Sequence, residues 1–148
     1  MKNHDIFMQE AMKEAKAGLE EGGIPIGSVL VRDGKIIGRG RNQRVQQGNA
    51  ILHAEIHCLM NAGRQKTYRD TILYSTLSPC YLCSGAIVQF KIPHVVMGED
   101  VNFSGAPEFL KSHGVKVENM MIPELIDIMK KFTQDQPELW NEDIAENS

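Results

Sequence analysis

The chain has 148 residues, of which 42% are hydrophobic and 24% charged, and its formal net charge is -3. That supplies apolar material for one continuous core, so residues 1–148 are expected to form one domain without disulfide stapling. The balanced charge excludes a basic field that would gather a polyanion, and nucleic acid is not expected as a partner.

Met1 to Glu10 mixes acidic and polar residues with apolar ones and lacks the pattern of a secretory leader. No run of about 18 apolar residues is available to cross a bilayer, so a cytoplasmic protein with no membrane partner is expected. The cysteines Cys58, Cys80 and Cys83 are odd in number, and two of them lie three apart. This is a poor disulfide framework and a good metal or redox pair.

From Asp5 to Glu21 the apolar residues Phe7, Met8, Ala11, Met12, Ala15 and Leu19 recur at helical spacing, and Gly22-Gly23 supplies a stop. Ile26 to Val31 and Lys35 to Gly40 read as two antiparallel strands, because Asp33-Gly34 between them tolerates the positive φ of a tight hairpin. After a polar loop around Gln46 to Asn49, His53 to Ala62 reads as a helix with Ile56, Leu59 and Met60 on one face and Gly63 as its cap.

Thr71 to Thr76 is a β-rich run broken by Pro79, and Cys80 to Phe90 then shows helical spacing. His94 to Gly98 forms another strand, Pro107 to His113 a short helix, and Val115 to Glu118 a last strand. Pro123 opens a helix that buries Leu125, Ile126, Ile128, Met129 and Phe132, and Pro137 opens a final short one. The order α-β-β-α-β-α-β-α-β-α-α predicts an α/β fold, a three-layer α/β/α sandwich with a central five-stranded mixed sheet.

The chemistry-bearing residues are His53-Ala54-Glu55 and Pro79-Cys80-Tyr81-Leu82-Cys83. A catalytic zinc takes three protein ligands and keeps one position open. His53, Cys80 and Cys83 supply that count. Cys80 and Cys83 stand at i and i+3 of a helix start, so both sulfurs share one face, and the free N–H groups there favour thiolate.

Residues i and i+2 of an ideal helix point about 200° apart, so His53 and Glu55 cannot both face one ion from mid-helix. His53 must therefore sit at or before the first helical residue. Glu55 is expected outside the coordination sphere, taking a proton from zinc-activated water and passing it to the substrate.

Taken singly, each motif has a plainer reading. His-x-Glu arises on solvated helix faces, and Cys-x-x-Cys between a strand and a helix also suits a thioredoxin-like redox site. A structural zinc-binding module is the alternative outside enzymes, although such sites normally carry four protein ligands. His57 is read as a packed or surface histidine, Cys58 as a small core residue, and the methionines mainly as core.

Together the two motifs match the His-x-Glu and Pro-Cys-x-x-Cys pattern of zinc deaminases. From about Asp5 to Ile144 the chain resembles the fungal type of cytosine deaminase, within the cytidine deaminase-like superfamily. Gly23-Ile24-Pro25-Ile26-Gly27, Gly38-Arg39-Gly40-Arg41-Asn42, Thr76-Leu77-Ser78-Pro79-Cys80, Gly98-Glu99-Asp100-Val101-Asn102-Phe103 and Trp140-Asn141-Glu142-Asp143 carry that resemblance.

The resemblance implies a cytidine deaminase-like fold, one Zn2+ per chain, a homodimer, and hydrolytic deamination of a free nucleobase, cytosine to uracil plus ammonia. It also implies that Asn42 and the backbone near Ala54 bind the pyrimidine carbonyl edge and that Asp143 and Ser78 reach the amino side. His53, Phe103 and Trp140 would enclose the ring, with Ile26 also at the substrate site. Val45, where that branch has an aromatic residue, and Ala54, where it has glycine, are departures expected to border the ring.

Within enzymes the rival is a tRNA adenosine deaminase, which shares both zinc motifs. A tRNA is a polyanion, whereas Pro137 to Ser148 holds Glu138, Glu142, Asp143 and Glu146 and no Lys or Arg. Guanine or creatinine would be deaminated by the same zinc chemistry. Asn42 could also simply end a strand, Trp140 anchor a helix, and Asp143 be a solvated acid.

Overall fold

A computed structural model describes residues 3–146; Met1 and Lys2, part of the segment in which no leader is expected, lie outside the described residues. Helix α1 (Asn3–Glu20) packs across the hairpin of β1 (Gly27–Arg32) and β2 (Lys35–Arg41). The turn forms as its residues require, with Asp33 at φ 50° and Gly34 at φ 74°. The remaining elements are α2 (Arg44–Gln47), α3 (Ala54–Ala62), β3 (Thr71–Ser75), α4 (Tyr81–Gln89), β4 (His94–Met97), α5 (Pro107–Ser112), β5 (Lys116–Asn119), α6 (Pro123–Asp135) and α7 (Pro137–Asp143).

The five strands form one mixed sheet in the order β2-β1-β3-β4-β5. β1 runs antiparallel to β2 and β3, while β3, β4 and β5 are parallel and are joined through α4 and α5. Alternation along the strands divides the core in two. Val29, Val31, Tyr74 and Val96 face Phe7, Met8, Ala11 and Met12 of α1 and Leu125 of α6. Leu30, Leu73 and Val95 face Cys58 and Leu59 of α3, Ile87 of α4 and Leu110 of α5. The layers are those expected of a three-layer α/β/α sandwich.

Several expectations need correction. Arg44–Gln47 is a single helical turn where a polar loop was expected, stopped by Gly48 in the left-handed conformation at φ 58°. Four residues are too few to show a period. Leu19 of α1 is exposed.

On α3 the buried face is Ala54, Glu55, Cys58 and Leu59, whereas Ile56 is half-buried and Met60 is 58% exposed. The cause lies in β2, on which α3 rests. A Cβ at Gly40 would stand 2.4 Å from the Cys58 nitrogen, and one at Gly38 2.7 Å from the Cys58 carbonyl oxygen. The two glycines draw this flank of α3 onto the sheet and leave Met60 outside. Met121 is likewise exposed, and Ile126 and Ile128 of α6 are only partly buried.

A third apolar cluster, Ile24, Ile26, Ala54, Leu77, Met129, Phe132 and Trp140, joins the start of β1, the start of α3, the segment after β3 and the two C-terminal helices. It forms the bed on which the candidate site rests.

Candidate active site

His53 has φ -67° and ψ 161° and is the extended residue before α3, and Glu55 is the second residue of that helix. The boundary falls where the two-residue spacing required it, so His53 and Glu55 approach one place from different backbone geometries. Cys80 stands in the same relation to α4, with φ -75° and ψ -178°, and Cys83 follows inside its first turn. β3 and α4 thus present the sulfurs and α3 the imidazole.

The ligand atoms of His53, Cys80 and Cys83 all lie within 4.8 Å of one another. Cys80 Sγ is 3.4 Å from His53 Nδ1. Zinc bonds of about 2.3 Å to sulfur and 2.1 Å to nitrogen place tetrahedral ligand atoms about 3.5 Å apart. Donor type, number and separation all fit a catalytic zinc.

Burial disfavours the charged imidazole of His53, but its hydrogen bond to Cys80 and the negative charges of Cys80, Asp143 and Glu55 outweigh that and raise its pKa to about 9. The hydrogen bond from Cys83 leads in lowering the Cys80 thiol to about 4, despite burial. Cys83, which gives that hydrogen bond and is itself buried, is pushed well above the ordinary thiol value. The metal-free cluster is therefore an imidazolium, one thiolate and one thiol.

Glu55 is 4% exposed, and burial chiefly, with the Cys80 charge, raises its carboxyl to about 7. A carboxyl poised there is suited to taking and giving one proton at neutral pH.

Beside these groups opens a cleft of about 370 Å³, lined by His53, Ala54, Glu55 and Cys80 on the metal side. Ile26, Asn42, Ser78, Phe103, Trp140 and Asp143 line the rest. The rings of Phe103 and Trp140 meet edge to face, with centroids 5.9 Å apart at 89°. Asn42 is buried; its Oδ1 accepts the Arg44 N–H at 2.9 Å, and its Nδ2 donates to Asp143 Oδ1 at 3.3 Å. Burial raises the Asp143 carboxyl above its ordinary value.

The cytidine and deoxycytidylate deaminase zinc-binding region matches residues 1–99, a span that contains all three metal ligands and Glu55. The chain belongs to this family. It is 49% identical to a cytosine deaminase of Candida albicans over 94% of this chain and 95% of that one. It is 40% identical to a tRNA-specific adenosine deaminase of Streptococcus pyogenes serotype M18 over 89% of this chain and 91% of that one. A solved tRNA:A34 deaminase, which edits A to I at the wobble position of transfer RNA, superposes with a TM-score of 0.72 at 32% identity. That likeness covers 80% of this chain and 99% of the other.

The zinc-dependent deaminase thus brings the candidate metal ligands, Glu55 and the candidate substrate contacts Ile26, Asn42, Ala54, Ser78, Phe103, Trp140 and Asp143 together at one cleft. Of the metal ligands, Cys83 is buried and does not line the cleft wall. His57 turns from the metal, and its Nδ1 accepts the Arg41 backbone N–H at 3.0 Å. Cys58 is fully buried, its thiol pushed up to about 12 by burial, and it packs as a core residue.

Val45 does not border the cleft, contrary to expectation. It is an exposed residue of α2, since the single turn closed by Gly48 carries it outward. Ala54 does line the wall and is buried. Ser78 is there too, with its hydroxyl donating to the Ser104 carbonyl at 2.9 Å.

Sequence reasoning missed Leu77, Tyr81, Leu82 and Ile144, which also line the cleft of the enzyme. Tyr81 and Leu82 are the two variable positions of Cys-x-x-Cys, and residues between two ligands on a first helical turn must surround the metal's mouth. The role of Glu99 was also not foreseen. It is fully buried, and its carboxylate accepts the backbone N–H groups of Val101 at 2.7 Å and Asn102 at 3.0 Å, which fixes the loop that carries Phe103.

Proposed function

We propose that the enzyme hydrolytically deaminates a free nucleobase, converting cytosine and water to uracil and ammonia. The observation that carries this reading is the cleft itself. A buried proton-transfer carboxyl and a three-ligand metal set form one wall, an aromatic pair and an Asn-Asp pair form the other, and no Lys or Arg lines it among the described residues.

Held by His53, Cys80 and Cys83, zinc supplies a Lewis acid that lowers the pKa of water toward neutrality. Glu55 takes one proton from the water and delivers it to the ring nitrogen beside the amino-bearing carbon as the water oxygen bonds to that carbon. It then takes the remaining proton of that oxygen and passes it to the amino group, which leaves as ammonia as the carbonyl forms. One Nδ2 hydrogen of Asn42 is used by Asp143, and the other is free to reach the pyrimidine carbonyl. Asp143 Oδ2 accepts from the amino group, and the backbone of Ala54 and Ser78 completes the polar edge. Ile26, Phe103 and Trp140 hold the ring flat against His53.

The relative from Candida albicans supports cytosine, while the tRNA-deaminase relatives favour a second reading, adenosine in a tRNA loop. Against the second stand the absence of basic lining residues and the acidic segment that holds Glu142, Asp143 and Glu146. We further read residues 1–148 as one domain working in the cytoplasm as a homodimer. No described helix is long and apolar enough to cross a membrane.

Ammonia release measured on cytosine, cytidine, guanine, creatinine and an adenosine-bearing tRNA stem-loop tests the reading. Turnover of cytosine with little on cytidine is expected, on the reading that the C-terminal segment, whose Trp140, Asp143, Ile144, Ala145 and Glu146 line the cleft, acts as a lid that leaves a ribose no exit. Comparable rates on the nucleoside, or faster turnover of the stem-loop, overturn it.

A further inference from the structure

A second group of metal-ligating side chains lies apart from the catalytic cleft. His4, near the start of α1, His94, the first residue of β4, and Glu118 in β5 bring their ligand atoms within 4.8 Å of one another. The strand register explains the meeting. Tyr74, Val96 and Glu118 are aligned on three adjacent parallel strands, and Tyr74 and Val96 face α1. His94, two residues before Val96, shares that face, and α1 carries His4 over it.

Both imidazoles turn Nε2 toward the same carboxylate oxygen. Glu118 Oε2 is 3.0 Å from His4 Nε2 and 2.5 Å from His94 Nε2. The rings of His4 and His94 meet edge to face with centroids 5.4 Å apart. On its other side His4 Nδ1 is 2.6 Å from the Tyr74 hydroxyl. Lys116 stands at the margin, its Nζ 4.0 Å from the same oxygen of Glu118.

We propose that His4, His94 and Glu118 form a second divalent-cation site, for a borderline ion such as zinc, cobalt or nickel, separate from the catalytic one. Two imidazoles and a carboxylate are a donor set of that preference. Around an ion with bonds of about 2.1 Å, ligand atoms stand about 3.0 Å apart in an octahedral and about 3.4 Å apart in a tetrahedral arrangement, so His94 and Glu118 would have to move apart by roughly 0.5 to 0.9 Å from their present contact.

The protons also have somewhere to go. Without metal each Nε2 carries hydrogen and donates to Glu118. With metal each ring ligates through Nε2 and carries its hydrogen on Nδ1, and that of His4 donates to Tyr74, whose hydroxyl can serve as donor or acceptor. Tyr74 then orients the ligating ring from outside the coordination sphere. The cation would tie α1 to β4 and β5, away from the substrate cleft.

The probe is Co2+ titrated into protein whose catalytic site is already filled with zinc. One added equivalent per chain should bind, with a visible spectrum of nitrogen and oxygen ligation and no sulfur-to-metal charge transfer. His94→Gln and Glu118→Gln should each lose that equivalent and keep the catalytic zinc, and Tyr74→Phe should weaken Co2+ binding about 10- to 100-fold. His4→Gln, which touches only the start of α1, provides the same reading if the strand variants fold poorly.

Failure of the wild-type holoenzyme to take up the added equivalent overturns the proposal and leaves the cluster a hydrogen-bonded relay. Retention of the equivalent by His94→Gln or His4→Gln overturns it as well, since the ion then binds elsewhere. Sulfur charge transfer in the spectrum has the same force, because it assigns the cobalt to Cys80 and Cys83.

Discussion

The two walls of the cleft are built by different means. The metal wall consists of two helix starts, at His53 and Cys80, resting on the sheet, and its geometry follows from backbone contacts as close as those between Gly40 and Cys58. The opposite wall comes from the loop at Phe103, clamped by the Glu99 carboxylate, and the short helix α7, which buries Trp140 in the third apolar cluster and is tied on by the Phe103 contact, the Asn42 bond to Asp143 and the exposed ion pair of Arg44 with Glu142 at 3.1 Å. On the proposed function, the reaction belongs to the first wall and the choice of base to the second. A family can keep one chemistry while its members named for cytosine and for tRNA adenosine differ in what they accept.

The sharpest way to break that division is at Glu55. Glu55→Gln should keep zinc, measured by metal analysis, and lower kcat by about 10⁴-fold or more, because one carboxyl serves both proton transfers. Retained turnover would remove the first wall from the chemistry.

Next in size is the pH dependence of metal uptake. At neutral pH the imidazolium of His53, with a pKa of about 9, and the thiol of Cys83, raised well above the ordinary value, must each give up a proton to bind zinc, while Cys80, at about 4, is already ionised. Zinc binding should therefore release about two protons, and affinity should rise about 100-fold per pH unit from about pH 6 to 8. Competition with a chelator across that range measures the slope, and a flat profile contradicts these protonation states.

On the second wall, Trp140→Ala should reduce kcat/KM for cytosine by about 10²-fold through lost positioning, with zinc content unchanged. A gain of cytidine turnover in the same variant would sharpen the assignment of specificity to α7. Smallest in its effect on chemistry is Gly40→Ala, whose Cβ would meet the Cys58 nitrogen at 2.4 Å. It should cost about 1–3 kcal/mol of stability in denaturant unfolding, as overpacking does, and an unchanged midpoint would deny that α3 is seated by this contact.

Much of the metal wall was legible in the chain. The two-residue spacing of His53 and Glu55 put the histidine ahead of its helix, and φ -67° with ψ 161° is what the structure has there. Asp33-Gly34 announced its turn through its tolerance of positive φ. The buried flank of α3 was not legible, because it is made of Ala54, Glu55 and Cys58, small or charged residues that hydrophobic periodicity passes over, while Met60 imitates a core position.

The second wall was legible only through resemblance. Asn42 stands 101 residues before Asp143, and nothing in composition or spacing joins it to the turn of α7 that carries Trp140 and Asp143. Val45 shows the limit of that route, since a position expected at the ring lies on the outer side of α2. Glu99 was hidden for a related reason: a charged residue reads as surface until its backbone partners at Val101 and Asn102 are seen.

The most direct test of the central claim is ammonia release from cytosine by protein stripped of metal with a chelator and then reloaded. Activity should vanish on stripping and return in proportion to zinc bound by His53, Cys80 and Cys83, reaching its full value when that site is filled. Undiminished turnover by the stripped protein would contradict the account.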